Sequence, residues 1–224
     1  SPGNPGAGRP APAFHPLRDG PPGTVMSFPF VFKHADGRLP NLLAFAWAGG
    51  GWLLGVFLIT RGSLALNLAG TLLLGHAMII AAYLVHECAH NTLFTTNAAN
   101  ARAGKALLWL CGGCYATYED IRHKHFRHHV DRADVVSFDY RPLLARHPRL
   151  VRVLEALEWA WIPAFEVLSH LLLIVLPFTW APRRSRRLHV ALTLAVRVPA
   201  FALLAWQAPR VLLFYPLAYM LMLH

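Results

Sequence analysis

Residues 64–90 read LALNLAGTLLLGHAMIIAAYLVHECAH, an apolar run that ends on two histidines four residues apart. The part from Leu64 to Val85 carries no Lys, Arg, Asp or Glu, and it meets the roughly 20 apolar residues a helix needs to cross about 30 Å of hydrocarbon. Residues i and i+4 share a helix face, so His86 and His90 can turn their imidazoles toward one metal. Upstream, Leu42 to Thr60 is a second uncharged apolar run, separated from the first only by Arg61, Gly62 and Ser63. Two such runs predict a tight helical hairpin whose outer ends share one side of a membrane.

Composition agrees with a membrane protein. Hydrophobic residues make up 55% of the chain and charged ones only 14%, richer in apolar and poorer in charged residues than a soluble domain. The charge is lopsided, 21 Lys+Arg against 11 Asp+Glu, and a basic excess raises nucleic acid as a partner. Here the basic residues sit between apolar runs, so an anionic membrane face or an acidic protein is the better partner and nucleic acid is set aside. Lys33 and Arg38 precede the first run and ten Lys or Arg lie between Arg102 and Arg152, whereas the hairpin turn holds only Arg61. The positive-inside rule therefore predicts cytoplasmic outer ends and cytoplasmic histidines, at the inner membrane if the cell is bacterial. Cys88, Cys111 and Cys114 form no disulfide framework, which suits a reducing compartment. Residues 1–24 are Pro/Gly-rich without periodicity and read as a disordered tail with no signal-peptide core, leaving 25–224 as one membrane domain.

A second cluster, RHKHFRHH at residues 122–129, places His125, His128 and His129 at i, i+3 and i+4. All three can face one way on a helix. Five imidazoles from two helices exceed the four ligands that satisfy a structural zinc, so two metals are the economical explanation. Nitrogen donors alone suit iron, copper, nickel or zinc. His123, on a different helical face, and His224 rank below these five. His15, His34, His147 and His189 read as packing or surface residues. His76 within the second span, and Glu166 with His170 further on, are ionisable groups at membrane depth, read equally as functional or as satisfied pairs.

Residues 86–90 also match H-E-x-x-H, the zinc protease motif with Glu87 as general base. That reading needs one further ligand and leaves the second cluster unexplained. Asp131, Asp134 and Asp139 follow the second cluster as candidate acceptors for imidazole N–H groups or as solvated charges. Cys111-Gly112-Gly113-Cys114 matches C-x-x-C, the redox or half-zinc pattern, but with no second pair and apolar flanks it reads as a small-residue packing face.

HECAHNTLF, with Tyr118, Arg122 and the His125-x-x-His128-His129 box, resembles the first two histidine boxes of membrane fatty acid desaturases, over roughly Leu64 to Tyr140. The resemblance implies a di-iron centre, two Fe ions held by His86, His90, His125, His128 and His129. It further implies O2 as co-substrate and the removal of two hydrogens from a lipid acyl chain, with electrons from a ferredoxin or cytochrome b5-type donor. Under it Glu87 would brace a neighbouring imidazole rather than act as a base. Three alternatives are a hydroxylase or monooxygenase of the same superfamily acting on alkanes or carotenoids, a membrane zinc metalloprotease, and a non-catalytic remnant. The family's third box, His-x-x-His-His, does not occur after His129. The expectation is therefore a C-terminally truncated fragment holding part of its metal shell.

The expected fold is all-α and integral to the membrane, with about four transmembrane helices and cytoplasmic histidine-box helices. Ala103 to Ala116 is too short to span and is expected along the interface or dipping into it, before a polar helix near Tyr118. Three more apolar stretches follow, Trp159 to Trp180, Leu188 to Trp206 with Arg197 and Pro199 inside, and Val211 onward. If Trp159 to Trp180 crosses, Arg183, Arg184, Arg186 and Arg187 fall outside, against the charge rule. If it is re-entrant, they stay on the histidine side. The four-span layout is preferred, with the charges opposing it. No internal repeat is present.

Overall fold

The computed structural model describes residues 31–131, 141–179 and 184–224. The predicted N-terminal tail lies outside these residues, as do Asp134 and Asp139. In chain order the helices are α1 (Arg38–Ile59), α2 (Leu64–Ala89), α3 (Asn97–Leu110), α4 (Tyr118–Asp131), α5 (Arg141–Arg146), α6 (Pro148–Trp159), α7 (Ala164–Thr179), α8 (Arg184–Gln207) and α9 (Val211–Leu223), with a 3-10 turn at Gly113–Tyr115 between α3 and α4. Among the described residues the protein is all-α, apart from one bridge between Phe32 and Phe94.

The hairpin forms as the sequence predicts, with residues 60–63 between α1 and α2. Its tightness comes from glycines. A Cβ on Gly70 would stand 2.9 Å from the Gly55 oxygen and the Ile59 nitrogen, so the two backbones touch. Asn67, 1% exposed, donates to the carbonyls of Leu58, Ile59 and Arg61 and thereby closes the end of α1. The Leu58 carbonyl also accepts from the Arg61 N–H at 3.1 Å, so Asn67 adds to the bonds that satisfy the helix end in an apolar setting.

α2 is the central helix. Half of its apolar window is buried, against 17% for α1 and 11% for α8, because α1, α3, α4 and α9 all pack on it. One core joins Leu84, Val85 and Cys88 of α2 to Ala103, Leu107 and Leu108 of α3 and to Tyr118. Another joins Leu74 and Met78 to Val211, Phe214 and Ala218 of α9. The outer faces of α1 and α8 expose Leu53, Phe57, Leu192, Val196 and Leu203, as helices facing lipid do.

α1, α2 and α8 are each long and apolar enough to cross a membrane. The stretch Trp159 to Trp180 is not one helix. Trp161 has φ +63° and Pro163 follows, and both oppose continuation of α6. The described α7 has 16 residues, about 24 Å.

Side-chain contacts order the remaining helices. Arg210, at the start of α9, donates to the Arg61 carbonyl at the hairpin turn, while a Cβ on Gly75 would meet Leu221 near the end of α9. α9 therefore runs parallel to α2, and α8, which precedes it, runs antiparallel. The Arg184–Arg187 end of α8 lies at the histidine end of the bundle. Consistently, Lys124 of α4 is lowered to about 8 by burial and then by the Arg186 charge. The basic cluster thus shares a side with the histidines, the placement the charge distribution asked for.

Arg197, inside α8, finds inward acceptors in the Trp109 carbonyl at 3.3 Å, Cys114 Sγ at 3.0 Å and the Tyr215 hydroxyl at 3.4 Å. Cys111 and Cys114 are buried in the α3 core, and a Cβ on Gly112 would collide with the Tyr219 ring. The small-residue packing reading of this segment is the one the structure follows.

Candidate metal centre

α2 carries the first histidine pair beyond its apolar span without a break, so packing of the span aims the pair. The helix stops immediately afterwards. Asn91 adopts φ +55°, its N–H bonds the Cys88 carbonyl at 3.0 Å and Thr92 N–H bonds the Glu87 carbonyl at 3.2 Å. This is a Schellman ending with asparagine in the left-handed position. The returning loop is pinned by Asn100, fully buried, which bonds both backbone groups of Phe94 and the Thr96 carbonyl. Phe32 stacks on Phe94 at 5.1 Å and covers the loop.

α4 starts at a capped turn, where Thr117 Oγ1 accepts from Asp120 N–H at 3.1 Å. Thr117 with Asp120 three residues on is a helix-start signature that the sequence displays. Two contacts seat α4 on the end of α2. Tyr118 is buried against Gly104 of α3, where a Cβ would strike its ring. Arg122 Nε donates to the Ala89 carbonyl at 2.9 Å, beside His90.

With α4 so held, ring nitrogens of His86, His90, His125 and His129 all lie within 4.8 Å of one another. His125 Nε2 is 2.7 Å from His90 Nε2 and 3.0 Å from His129 Nε2. A single imidazole nitrogen bears either a proton or a lone pair, so a hydrogen-bond chain is an awkward account of two such neighbours. Lone pairs converging on a cation account for it better. Metal–nitrogen bonds of about 2.1 Å at right angles set two nitrogens about 3.0 Å apart. The donor set fits a transition metal.

The electrostatics agree. Burial holds His125 down to about 4, and the rings of His86, His90 and His129 push the same way. His90 is lowered chiefly by burial, then by His86 and His129, with Glu87 opposing. Neutral imidazoles are what a metal requires. An unfolded histidine takes a proton near about 6.5, whereas folded His125 takes one near about 4. Between these values the unfolded chain binds more protons. The His125 contribution to the stability of the metal-free protein is complete above about 6.5 and lost as pH falls toward about 4. Thermal unfolding scanned from pH 7 to 4 is expected to show a falling midpoint, with a smaller fall in His125→Gln.

The other sequence candidates are placed as follows. His128 is exposed, its ring centroid 5.8 Å from that of His129, and it stands outside the group of four. His123 is exposed on another face of α4. His224 Nε2 bonds the Trp161 carbonyl at 2.7 Å. Glu87 Oε2 accepts from the Thr92 hydroxyl at 2.6 Å, so a hydroxyl rather than an imidazole engages it. Asp131 ends α4. His76 accepts from Trp47 Nε1 at 2.8 Å, His170 Nδ1 pairs with the Glu166 carbonyl at 2.8 Å rather than its carboxylate, and His189 pairs with the Cys114 carbonyl at 2.9 Å. Each of these three rings therefore has a hydrogen-bond partner outside the group of four.

Sequence reasoning passed over Asn100 and Thr117 and used Tyr118 and Arg122 only as parts of a motif. Removing the Arg122 bond to Ala89 costs about 1.5–3 kcal/mol, the range for a charge-assisted hydrogen bond. Arg122→Ala is expected to lower metal affinity about 10- to 100-fold, as loss of a supporting contact does, measurable by competition with a chelator.

Comparison with curated proteins and with solved structures returned no match. A family model for fatty acid desaturases matches residues 61–224. The match spans α2, both histidine clusters and the helices after them, so the chain belongs to the fatty acid desaturase family.

Proposed function

We propose that this protein is a membrane di-iron desaturase that uses O2 to introduce a double bond into a lipid acyl chain. The observation that supports this best is the convergence of four histidine nitrogens, from two helices, at the end of a long apolar helix. Family membership implies an oxidoreductase acting on lipid acyl chains. The finer reading assigns two Fe ions to His86, His90, His125, His129 and His128.

When bound, iron of this kind supplies the activation of dioxygen and the breaking of an unactivated C–H bond. The chain's own residues do the rest. Neutral His125 and His90 keep lone pairs available at neutral pH. Leu84, Val85, Phe94 and Tyr118 are buried in the apolar core that joins the histidine end of α2 to the start of α4, and Phe126 meets His90 edge-on at 5.5 Å. Apolar walls limit water at a reactive centre. An acyl substrate reaches such a site by partitioning through the bilayer.

Expression of the full-length protein in a host membrane, with acyl lipids analysed by mass spectrometry, tests the reading. The expected result is an oxygen-dependent product two mass units lighter. A product sixteen units heavier would select the hydroxylase. The protease reading predicts that Glu87→Gln alone removes a proteolytic activity; the desaturase reading expects that variant to keep its metal. A ferredoxin or cytochrome b5-type donor is assigned to the basic stretch around Arg122 to Arg152. Turnover is expected to fall as salt rises, and a salt-independent rate would remove that assignment.

A further inference from the structure

α6 is an amphipathic helix that carries Arg149 and Arg152 against Glu155 and Glu158, and no described helix covers the face that holds the two arginines. Its inner side packs Leu154, with Val151 and Leu157, against Ala164, Phe165 and Leu168 of α7. Glu158 ties the two helices together by accepting the Phe165 N–H at 2.8 Å. The outer side is a shallow groove lined by Arg149, Arg152, Val153, Ala156 and Leu157. Val153 is 55% exposed, and Trp159 and Trp161, where α6 turns into α7, are 88% and 81% exposed.

Two features say what covers this face. Arg149 stands in the first turn of α6, where the helix dipole disfavours a cation, so it does not serve the helix itself. And α6 joins directly to α7, whose Leu171, Val175 and Phe178 are exposed apolar groups, suited to lipid. Tryptophans at such a joint mark the level of the headgroups. Arginines flanking an apolar strip match an anionic surface over an apolar interior.

We propose that α6 lies in the plane of the membrane, on the histidine side, as a docking surface for anionic phospholipid. Val153 and Ala156 dip below the headgroups, and Arg149 and Arg152 bind their phosphates. This assigns α6 to lipid and leaves the basic residues before it for an electron carrier. It rests on the membrane reading of α8 and deepens it.

The test uses the full chain in vesicles, with an environment-sensitive fluorophore on Val153→Cys. The native cysteines are all buried, which directs the label to the new thiol. In phosphatidylcholine containing phosphatidylglycerol, brominated acyl chains are expected to quench the label several-fold more than in phosphatidylcholine alone. Arg149→Gln with Arg152→Gln is expected to abolish that difference. Both side chains are exposed, so the fold tolerates the change. A label at Leu203→Cys, on the outer face of α8, is expected to be quenched in both vesicles. If Leu203 is quenched and Val153 remains open to aqueous iodide in both lipids, the α6 proposal falls and the membrane reading stands. If neither is quenched, both fall. If Val153 becomes shielded only on adding an acidic soluble electron carrier, the face belongs to a protein and the proposal is wrong.

Discussion

His125→Ala is expected to strip the protein of bound metal and of product formation together, while leaving it inserted in the membrane. His125 is the hub of the four-histidine group, its Nε2 facing those of both His90 and His129. Loss of a supporting residue at a metal site costs 10- to 100-fold in affinity or activity, so loss of this donor is expected to exceed about 100-fold. His128→Ala makes the informative contrast. It stands outside the group, so on the proposed di-iron reading its loss is expected to reduce bound iron from about two ions per chain to about one rather than to none. Metal analysis of the two purified variants checks both statements. Equal and complete metal loss in His128→Ala would mean that the two ions bind as one cooperative unit. Full metal retention in His125→Ala would remove the ligand assignment.

Gly70→Val is expected to be among the most damaging changes away from the histidines. Its Cβ would lie 2.8 Å from the Leu58 Cβ and 2.9 Å from backbone atoms of α1, and backbone cannot move aside as a flexible side chain does. Overpacking typically costs 1–3 kcal/mol and occasionally more; with two helix backbones forced apart, about 3 kcal/mol is the expected minimum. The displaced α2 also moves His86 and His90, so metal is expected to be lost along with thermal stability. Gly49→Ala and Gly50→Ala are the controls, because a Cβ there meets nothing within 4 Å. They are expected to be neutral or slightly stabilising through the higher helix propensity of alanine. Unfolding in detergent, followed by fluorescence, separates the two outcomes.

Much of this was open to reading in one dimension because the determinants are local. The helical hairpin follows from two uncharged apolar runs with three residues between them. The two histidine boxes follow from i, i+4 and i, i+3, i+4 spacing, since a helix repeats its face every three or four residues. The start of the polar helix at Tyr118 falls where it was expected. After Trp159, which ends α6, the stretch to Trp180 is helical only from Ala164 among the described residues, because a left-handed Trp161 and Pro163 break the chain after α6, and an averaged apolar signal does not register a single backbone break.

The sequence by itself determined that this is an all-α chain with membrane-length apolar helices and two helical sets of histidines, because composition and helical period are properties of neighbours along the chain. Only the tertiary structure decided which histidines meet. The convergence of His86 and His90 with His125 and His129, and the position of His128 beside them rather than among them, depend on how α4 lands on α2. That landing is set by Arg122 reaching the Ala89 carbonyl, by Tyr118 lying on Gly104, and by Asn100 holding the loop between. These contacts join residues far apart in the chain, and no spacing rule encodes them. The side of the bundle on which the Arg184–Arg187 end of α8 lies was decided in the same way, by the parallel packing of α9 on α2.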